Sequence, residues 1–248
     1  KLASQPTSSV DIPLMVSDAS EATVSGDNAT HLSFTTSNWN GDHVVTLSAV
    51  DDSESDGTQS FYVKLGADNS TLDTSGYRGL DPQDVAAATQ DDESAGFLVS
   101  SVSGSVTEEG GQALFTVRLT SQPTGNVVVS VSSDNTSEAT VSPSALTLTS
   151  TNWHSEQAVR VTGVDDNISD GNSAFRIVLD NSSSTAAPEY AGLNPPDVVL
   201  SNLDDETPGF LISAISGNLV EKGGSATFTV KLASQPTSSV DIPLMVSD

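Results

Sequence analysis

Residues 113–131 read Ala-Leu-Phe-Thr-Val-Arg-Leu-Thr-Ser-Gln-Pro-Thr-Gly-Asn-Val-Val-Val-Ser-Val. Phe115, Val117 and Leu119 alternate with Thr116 and Arg118, the period-two pattern of a strand with one buried face. Ser-Gln-Pro-Thr-Gly then breaks the run, and Val127–Val131 starts a second strand. Working outward, Phe97–Val102 precedes this pair. Ala139–Leu148 follows it, with an interruption expected at Pro143, because proline removes a ladder donor. Val159–Val164, Phe175–Leu179 and Val198–Leu203 continue the series. Lettered A to G in order, these seven short strands fall within about 110 residues, the count of an all-β, immunoglobulin-like antiparallel β-sandwich. A closed antiparallel barrel is the alternative.

The same pattern recurs along the chain. Gly96-Phe97-Leu98 returns as Gly209-Phe210-Leu211, and Asp91-Asp92-Glu93 returns as Asp204-Asp205-Glu206, both 113 residues on. Val50-Asp51-Asp52 returns 114 residues on as Val164-Asp165-Asp166. Residues 1–18, KLASQPTSSVDIPLMVSD, recur without change as 231–248. The expected organisation is a module lacking its first strands (1–93), a complete module (94–206) and the opening strands of a third (207–248). The unchanged repeat implies a parent built from nearly identical two-module units, a tandem array in which reach scales with copy number.

Composition narrows the function. The chain has 248 residues, 33 acidic against 8 basic, and a formal net charge of -25. Such a surface repels nucleic acid and anionic membrane, so neither is an expected partner. No cysteine is present, so no disulfide holds the fold. No apolar run reaches the roughly 18 residues of a membrane span. No signal peptide is visible, but the sequence begins in mid-pattern at Lys1-Leu2, which leaves export open. Motifs of nucleophile-elbow hydrolases, zinc proteases, P-loops and dinucleotide folds are missing, and no enzyme is expected.

The acids are not scattered. If successive strands run antiparallel, the ends of A, C, E and G share one pole. Glu108-Glu109 follows A, Asp134 follows C, Asp165-Asp166 and Asp170 follow E, and Asp204-Asp205-Glu206 follows G. Asp180 and Glu189 fall after F instead. Carboxylates gathered and partly desolvated need a counter-charge. The basic candidate nearby in sequence is Lys222 of the following module. Ca²⁺ suits the need, since it accepts roughly six to eight hard oxygen ligands in a flexible shell. Magnesium requires a small octahedral site, and zinc would find only His31, His43 and His154. The loop Asp165-Asp166-Asn167-Ile168-Ser169-Asp170-Gly171 has its counterpart in Asp51-Asp52-Ser53-Glu54-Ser55-Asp56-Gly57.

Glu108-Glu109-Gly110-Gly111, Asp165-Asp166 with Asp170-Gly171, and the terminal Asp204-Asp205-Glu206 together resemble the Calx-beta module and its bacterial adhesin relatives. The resemblance implies a seven-stranded sandwich that binds Ca²⁺ through a glutamate after strand A, acids in the E–F loop and a C-terminal acidic triplet. Carried over, ligand roles fall on Glu109, Asp165, Asp166, Asp170, Asp204 and Asp205. The matching positions are Asp51, Asp52, Asp56, Asp91 and Asp92 in the first module and Glu221 in the third. Two departures stand out: Ser133-Asp134-Asn135-Thr136 replaces the family's second acidic loop, and Lys222 follows Glu221.

The sequence thus points to a calcium-stiffened extender of a secreted or cell-surface bacterial adhesin. Its partners would be neighbouring modules of the same array, with any surface or glycan ligand held by other domains. A glycan- or surface-binding module is the alternative. Trp39 and Trp153 could serve it as stacking platforms, although packing at matching stations is the plainer role. Asn28, Asn69, Asn135, Asn167 and Asn181 each open an Asn-x-Ser/Thr sequon.

Overall fold

A computed structural model describes residues 1–26, 28–68, 72–180 and 186–246. The sequons at Asn69 and Asn181 lie outside the described residues. The chain is all-β and divides into two units, Lys1–Ser94 and Ala95–Asp248.

The first unit holds β1 (Val10–Val16), β2 (Ala22–Ser25), β3 (His31–Phe34), β4 (Thr46–Ala49), β5 (Gln59–Leu65) and β6 (Val85–Thr89). One antiparallel sheet runs β3-β1-β5-β6, while β2 and β4 pair apart from it. In β1 the alternation is realised directly: Val10, Ile12 and Leu14 are buried, and Phe34, Phe61 and Val63 pack with them in two clusters. Every residue of β4 is exposed.

The second unit holds β7 (Phe97–Val99), β8 (Val106–Thr107), β9 (Gln112–Leu119), β10 (Val127–Ser133), β11 (Ala139–Ser142), β12 (Ala145–Leu148), β13 (Gln157–Gly163), β14 (Ser173–Asp180) and β15 (Val198–Leu203). Two more strands follow, β16 (Phe210–Ile212) and β17 (Val230–Leu232), which pair only with each other. One sheet is ordered β12-β10-β14-β15-β8 and the other β11-β13-β9-β7. Both have free edges, so the architecture is a sandwich and not a closed barrel. Phe115, Val117 and Leu119 from one sheet share a single core with Val129, Phe175, Ile177 and Leu179 from the other.

One expected strand changes sheets. The expected strand D splits at Pro143 into β11 and β12, and the missing proline N–H falls between the two ladders. The expected strand A, Phe97–Val102, is shorter than read: β7 ends at Val99 and pairs antiparallel with β9, and a further strand that the sequence reading did not include, β8, pairs in parallel with β15.

Recurrent latches close the end of each sandwich where the Ser-Gln-Pro-Thr turn lies. The Tyr190 hydroxyl, on a short 3₁₀ turn, donates to the Ser121 carbonyl at 2.7 Å and accepts its N–H at 3.2 Å. In the first unit Tyr77 does the same to Ser4, at 2.9 and 2.8 Å. Thr124 donates through its N–H to Glu189 at 2.7 Å, as Thr7 does to Asp73 at 3.1 Å.

Trp153 packs against the core, and its carbonyl accepts the Leu119 N–H at 2.9 Å. Trp39 is half-buried, with its carbonyl accepting the Leu2 N–H at 2.8 Å. The two tryptophans thus make the same backbone contact at matching stations.

Candidate metal centre

At the end of β8 the alternation decides which acid turns inward. Val106 is fully buried, so Glu108, two residues on, faces the same way and is only 2% exposed. Glu109 points to solvent. Of the two acids, Glu108 is therefore the one that faces inward, while the expected ligand Glu109 does not. Gly110, at φ +81°, turns the chain immediately afterwards, where a side chain would be strained.

Parallel pairing then delivers the partners. The Glu108 N–H donates to the Leu203 carbonyl at 3.1 Å, which brings Asp204, Asp205 and Glu206 alongside. Carboxylate oxygens of Glu108, Asp205 and Glu206 all lie within 4.8 Å of one another. Asp204 does structural work. It accepts the Gly171 N–H at 2.6 Å and the Glu206 N–H at 2.9 Å, tying the E–F loop to the end of β15. Asp166 accepts the Ile168 N–H at 2.6 Å and so shapes that loop from within.

Charge is poorly compensated here. Burial, the hydrogen bond with Glu206 and the nearby Asp204 and Asp166 push the Glu108 carboxyl up to about 7. Burial also raises Glu206, while the Gly171 and Glu206 N–H groups hold Asp204 below the usual carboxylate range. Buried oxygens of Glu108 and Glu206 have no hydrogen-bond partner, nor does the side-chain oxygen of Asn202 beside them. No lysine or arginine pairs with Glu108, Asp205 or Glu206 among the described residues. Orphaned buried carboxylate oxygens of this kind fit a hard cation, and the all-oxygen donor set suits Ca²⁺.

The first unit repeats the scaffold. Asp91 accepts the Gly57 N–H at 2.7 Å and the Glu93 N–H at 2.8 Å, and Asp52 accepts the Glu54 N–H at 2.7 Å. Asp51, Asp92 and Glu93 gather as the second unit's trio does. Asp52, Asp56 and Glu21 line the same cleft of about 130 Å³. In the second unit Asp165 and Asp170 are exposed and stand outside the trio, although the Asp170 backbone helps to hold Asp204. Glu221 is exposed and joins no acid group among the described residues. Asp134 accepts the Arg176 N–H at 2.8 Å, and Asp180 ends β14 at the opposite pole.

The sequence reading passed over Glu138 and Glu21. Glu138 is buried and accepts from the Asn202 side chain at 3.2 Å; Glu21 is raised by burial first and by Asp56 next. Their signal was the shared run Ser-Glu-Ala-Thr-Val-Ser, at 20–25 and 137–142.

The Calx-beta domain family model matches residues 8–94 and again 89–207. The chain belongs to the Calx-beta domain family. Its two units thus carry Calx-beta sandwiches. Among solved structures, similarity extends to the S-layer protein SbsC domains 4 and 5, at 17% identity over 77% of this chain and 69% of that one, with a TM-score of 0.30. The calcium-binding domain CBD12 of CALX1.1 matches at 16% identity over 70% and 68%, TM-score 0.29. WR4, a Caenorhabditis elegans MSP family member, matches at 12% over 42% and 95%, TM-score 0.28. No curated protein matches the chain. Among the described residues no helix is long and apolar enough to cross a membrane.

Proposed function

We propose that this chain is a non-catalytic extender segment of a secreted or cell-surface adhesin array, stiffened by Ca²⁺ where one module meets the next. The observation that carries the reading is the pair of buried carboxylate oxygens without a hydrogen-bond partner, one on the buried Glu108 and one on the half-buried Glu206, placed where β15 leads into the following strand. Glu108, Asp205 and Glu206 would hold the ion, with Asp166 and Asp204 shaping the loop around it. The ion supplies positive charge that relieves their mutual repulsion.

Position supports the stiffening role. Only Asp204-Asp205-Glu206-Thr207-Pro208 separates β15 from the next module's first strand region, and Pro208 restricts both itself and Thr207. The E–F loop also reaches past this linker. The Asn167 carbonyl accepts the Gln235 N–H at 2.6 Å, Ile168 bridges Gln235 in parallel, and Ser169 donates to the Glu206 carbonyl at 3.2 Å. A loop ordered by the ion would therefore also fix the following segment.

Calcium titration of the full chain by calorimetry, read beside thermal melting, tests the proposal. Binding at roughly 10⁻⁴–10⁻³ M is expected, and a melting temperature that rises with Ca²⁺ and falls with EDTA. An EDTA-insensitive melt in low salt would sink it. Small-angle scattering separates stiffening from internal stabilisation: Ca²⁺ should lengthen the maximum dimension, whereas an unchanged distance distribution with binding confirmed removes the stiffening role. Position within the site is tested by a charge-matched pair. Asp166→Ala should weaken binding about tenfold or more and Asp180→Ala barely at all. Equal calcium midpoints would show a diffuse charge effect only.

A further inference from the structure

The open face of the sheet β11-β13-β9-β7 carries a cation that the metal centre does not use. Arg160 lies mid-way along β13, an inner strand, opposite Ser142 of β11 on one side and Leu114 of β9 on the other. Strand alternation turns it outward, since its neighbours Val159 and Val161 are fully buried. Ala158 and Thr162 share its face, and Gln112 stands opposite Thr162. These six residues line a shallow concavity of about 410 Å³, and no carboxylate is among them.

The guanidinium has no counter-charge. In a chain with 33 acidic residues, Arg176 reaches Asp197 at 3.7 Å, but among the described residues no acid pairs with Arg160. The polar side chains around it are open too. Gln112, Ser142 and Thr162 make no side-chain hydrogen bond among the described residues. Towards the β7 edge of the same sheet the pattern differs: the Ser100 hydroxyl accepts the Thr116 N–H and the Ser103 hydroxyl the Leu114 N–H, both at 2.9 Å. Leu114 is 47% exposed, which sets an apolar surface beside the charge.

The repeats separate this face from the scaffold. The acid loops recur from module to module, whereas Arg160 and Leu114 do not. Thr46 stands at the station of Arg160 in the first unit, and Thr227 at that of Leu114 in the third copy. β4 forms with threonine at that station, so the strand does not need the arginine.

We propose that this concavity binds the carboxylate of a sugar acid, as in a uronate unit of an acidic polysaccharide. Arginine grips a carboxylate through two parallel N–H···O bonds. Gln112, Ser142 and Thr162 supply donors and acceptors for ring hydroxyls, while Leu114 and Ala158 take the C–H face of the ring. The volume lies within the roughly 300–1,000 Å³ of ordinary ligand sites. The net charge of -25 repels such a polymer elsewhere, so Arg160 would give it one point of attachment.

Titration of the full chain with sodium glucuronate and sodium galacturonate, followed by heteronuclear NMR in EDTA and about 20 mM salt, tests this. EDTA removes calcium bridging at the acid pole, so a failure here leaves the extender reading standing. Saturable shifts of the Arg160 side chain and of the Gln112, Leu114 and Thr162 amides are expected, with a Kd of about 1 mM for so shallow a contact. Methyl glucoside, which lacks the carboxylate, should bind about tenfold or more weakly. Arg160→Gln should cost about tenfold or more in affinity, whereas Arg176→Gln, an equal loss of charge, should change it less than about twofold. Leu114→Thr keeps the charge and should weaken binding about threefold. Shifts that do not saturate with either sugar acid would overturn the proposal. So would equal losses in the two arginine variants, the mark of a diffuse charge effect. Tighter binding of N-acetylglutamate amide than of either sugar acid would also overturn it, and would assign the face to an acidic protein segment.

Discussion

Phe115→Ala is expected to cost about 3–5 kcal/mol, the usual loss when a buried aromatic site is emptied. Phe115 lies mid-way along β9, opposite Val159 of β13, in the core that both sheets of the second unit share. Nothing nearby can collapse cheaply into the gap, because flanking residues on that face are held by ladders on two sides. Thr116, on the other face of β9, is half-buried, and its alanine variant should stay within about 1 kcal/mol of the parent. Denaturant unfolding of the two variants measures the contrast. Equal losses would place the core on the wrong face of the strand.

Glu108→Gln should have the largest effect on metal binding and, without metal, should stabilise the protein above neutral pH. Glu108 titrates at about 7 in the folded chain, against an ordinary 4.5. Between those values the folded state keeps a proton that the unfolded chain has released. Its favourable contribution is complete below about 4.5 and is lost as pH rises through 7. The metal-free melting temperature should therefore fall from pH 5 to pH 8. Glutamine carries no titrating proton, so the variant should reduce that slope to the part that Glu206 and Glu21 contribute. Asp204, held low, acts in the opposite sense and only at more acid pH. Calcium affinity should drop about tenfold or more in Glu108→Gln and change less than about twofold in Glu109→Gln. Equal affinities in the two variants, or a pH slope in Glu108→Gln as steep as the parent's, would remove Glu108 from the centre.

Strands B, C, E, F and G were legible because each buries one face and therefore alternates. The break in D was legible because proline acts on the ladder locally. Strand A was read too long, to Val102, and β8 was missed, because a two-residue strand is too short to show an alternation and is set by its distant partner β15. The pole of the acids followed from strand direction alone. The choice between Glu108 and Glu109 did not, yet it was open to the same alternation counted onward from Val106. The third copy held a second clue: aligning Gly223-Gly224 with Gly110-Gly111 puts Lys222 under Glu109 and Glu221 under Glu108. Glu138 escaped because it precedes a strand and carries no run of acids with it.

The parallel pairing of β8 with β15 has a consequence for how a module bears tension. Val106 and Thr107 stand opposite Asn202 and Leu203, so near-terminal strands of the complete module lie side by side and run the same way. Pulling the two ends of the module apart draws these strands in opposite directions along their own axes. Their hydrogen bonds are then loaded together in shear and cannot peel open one after another. The Glu108 N–H bond to Leu203 belongs to the same short seam, and an ion across Glu108 and Glu206 would rivet it at the point where the load enters. The second unit would then behave as a clamp that holds its length and yields abruptly at high force.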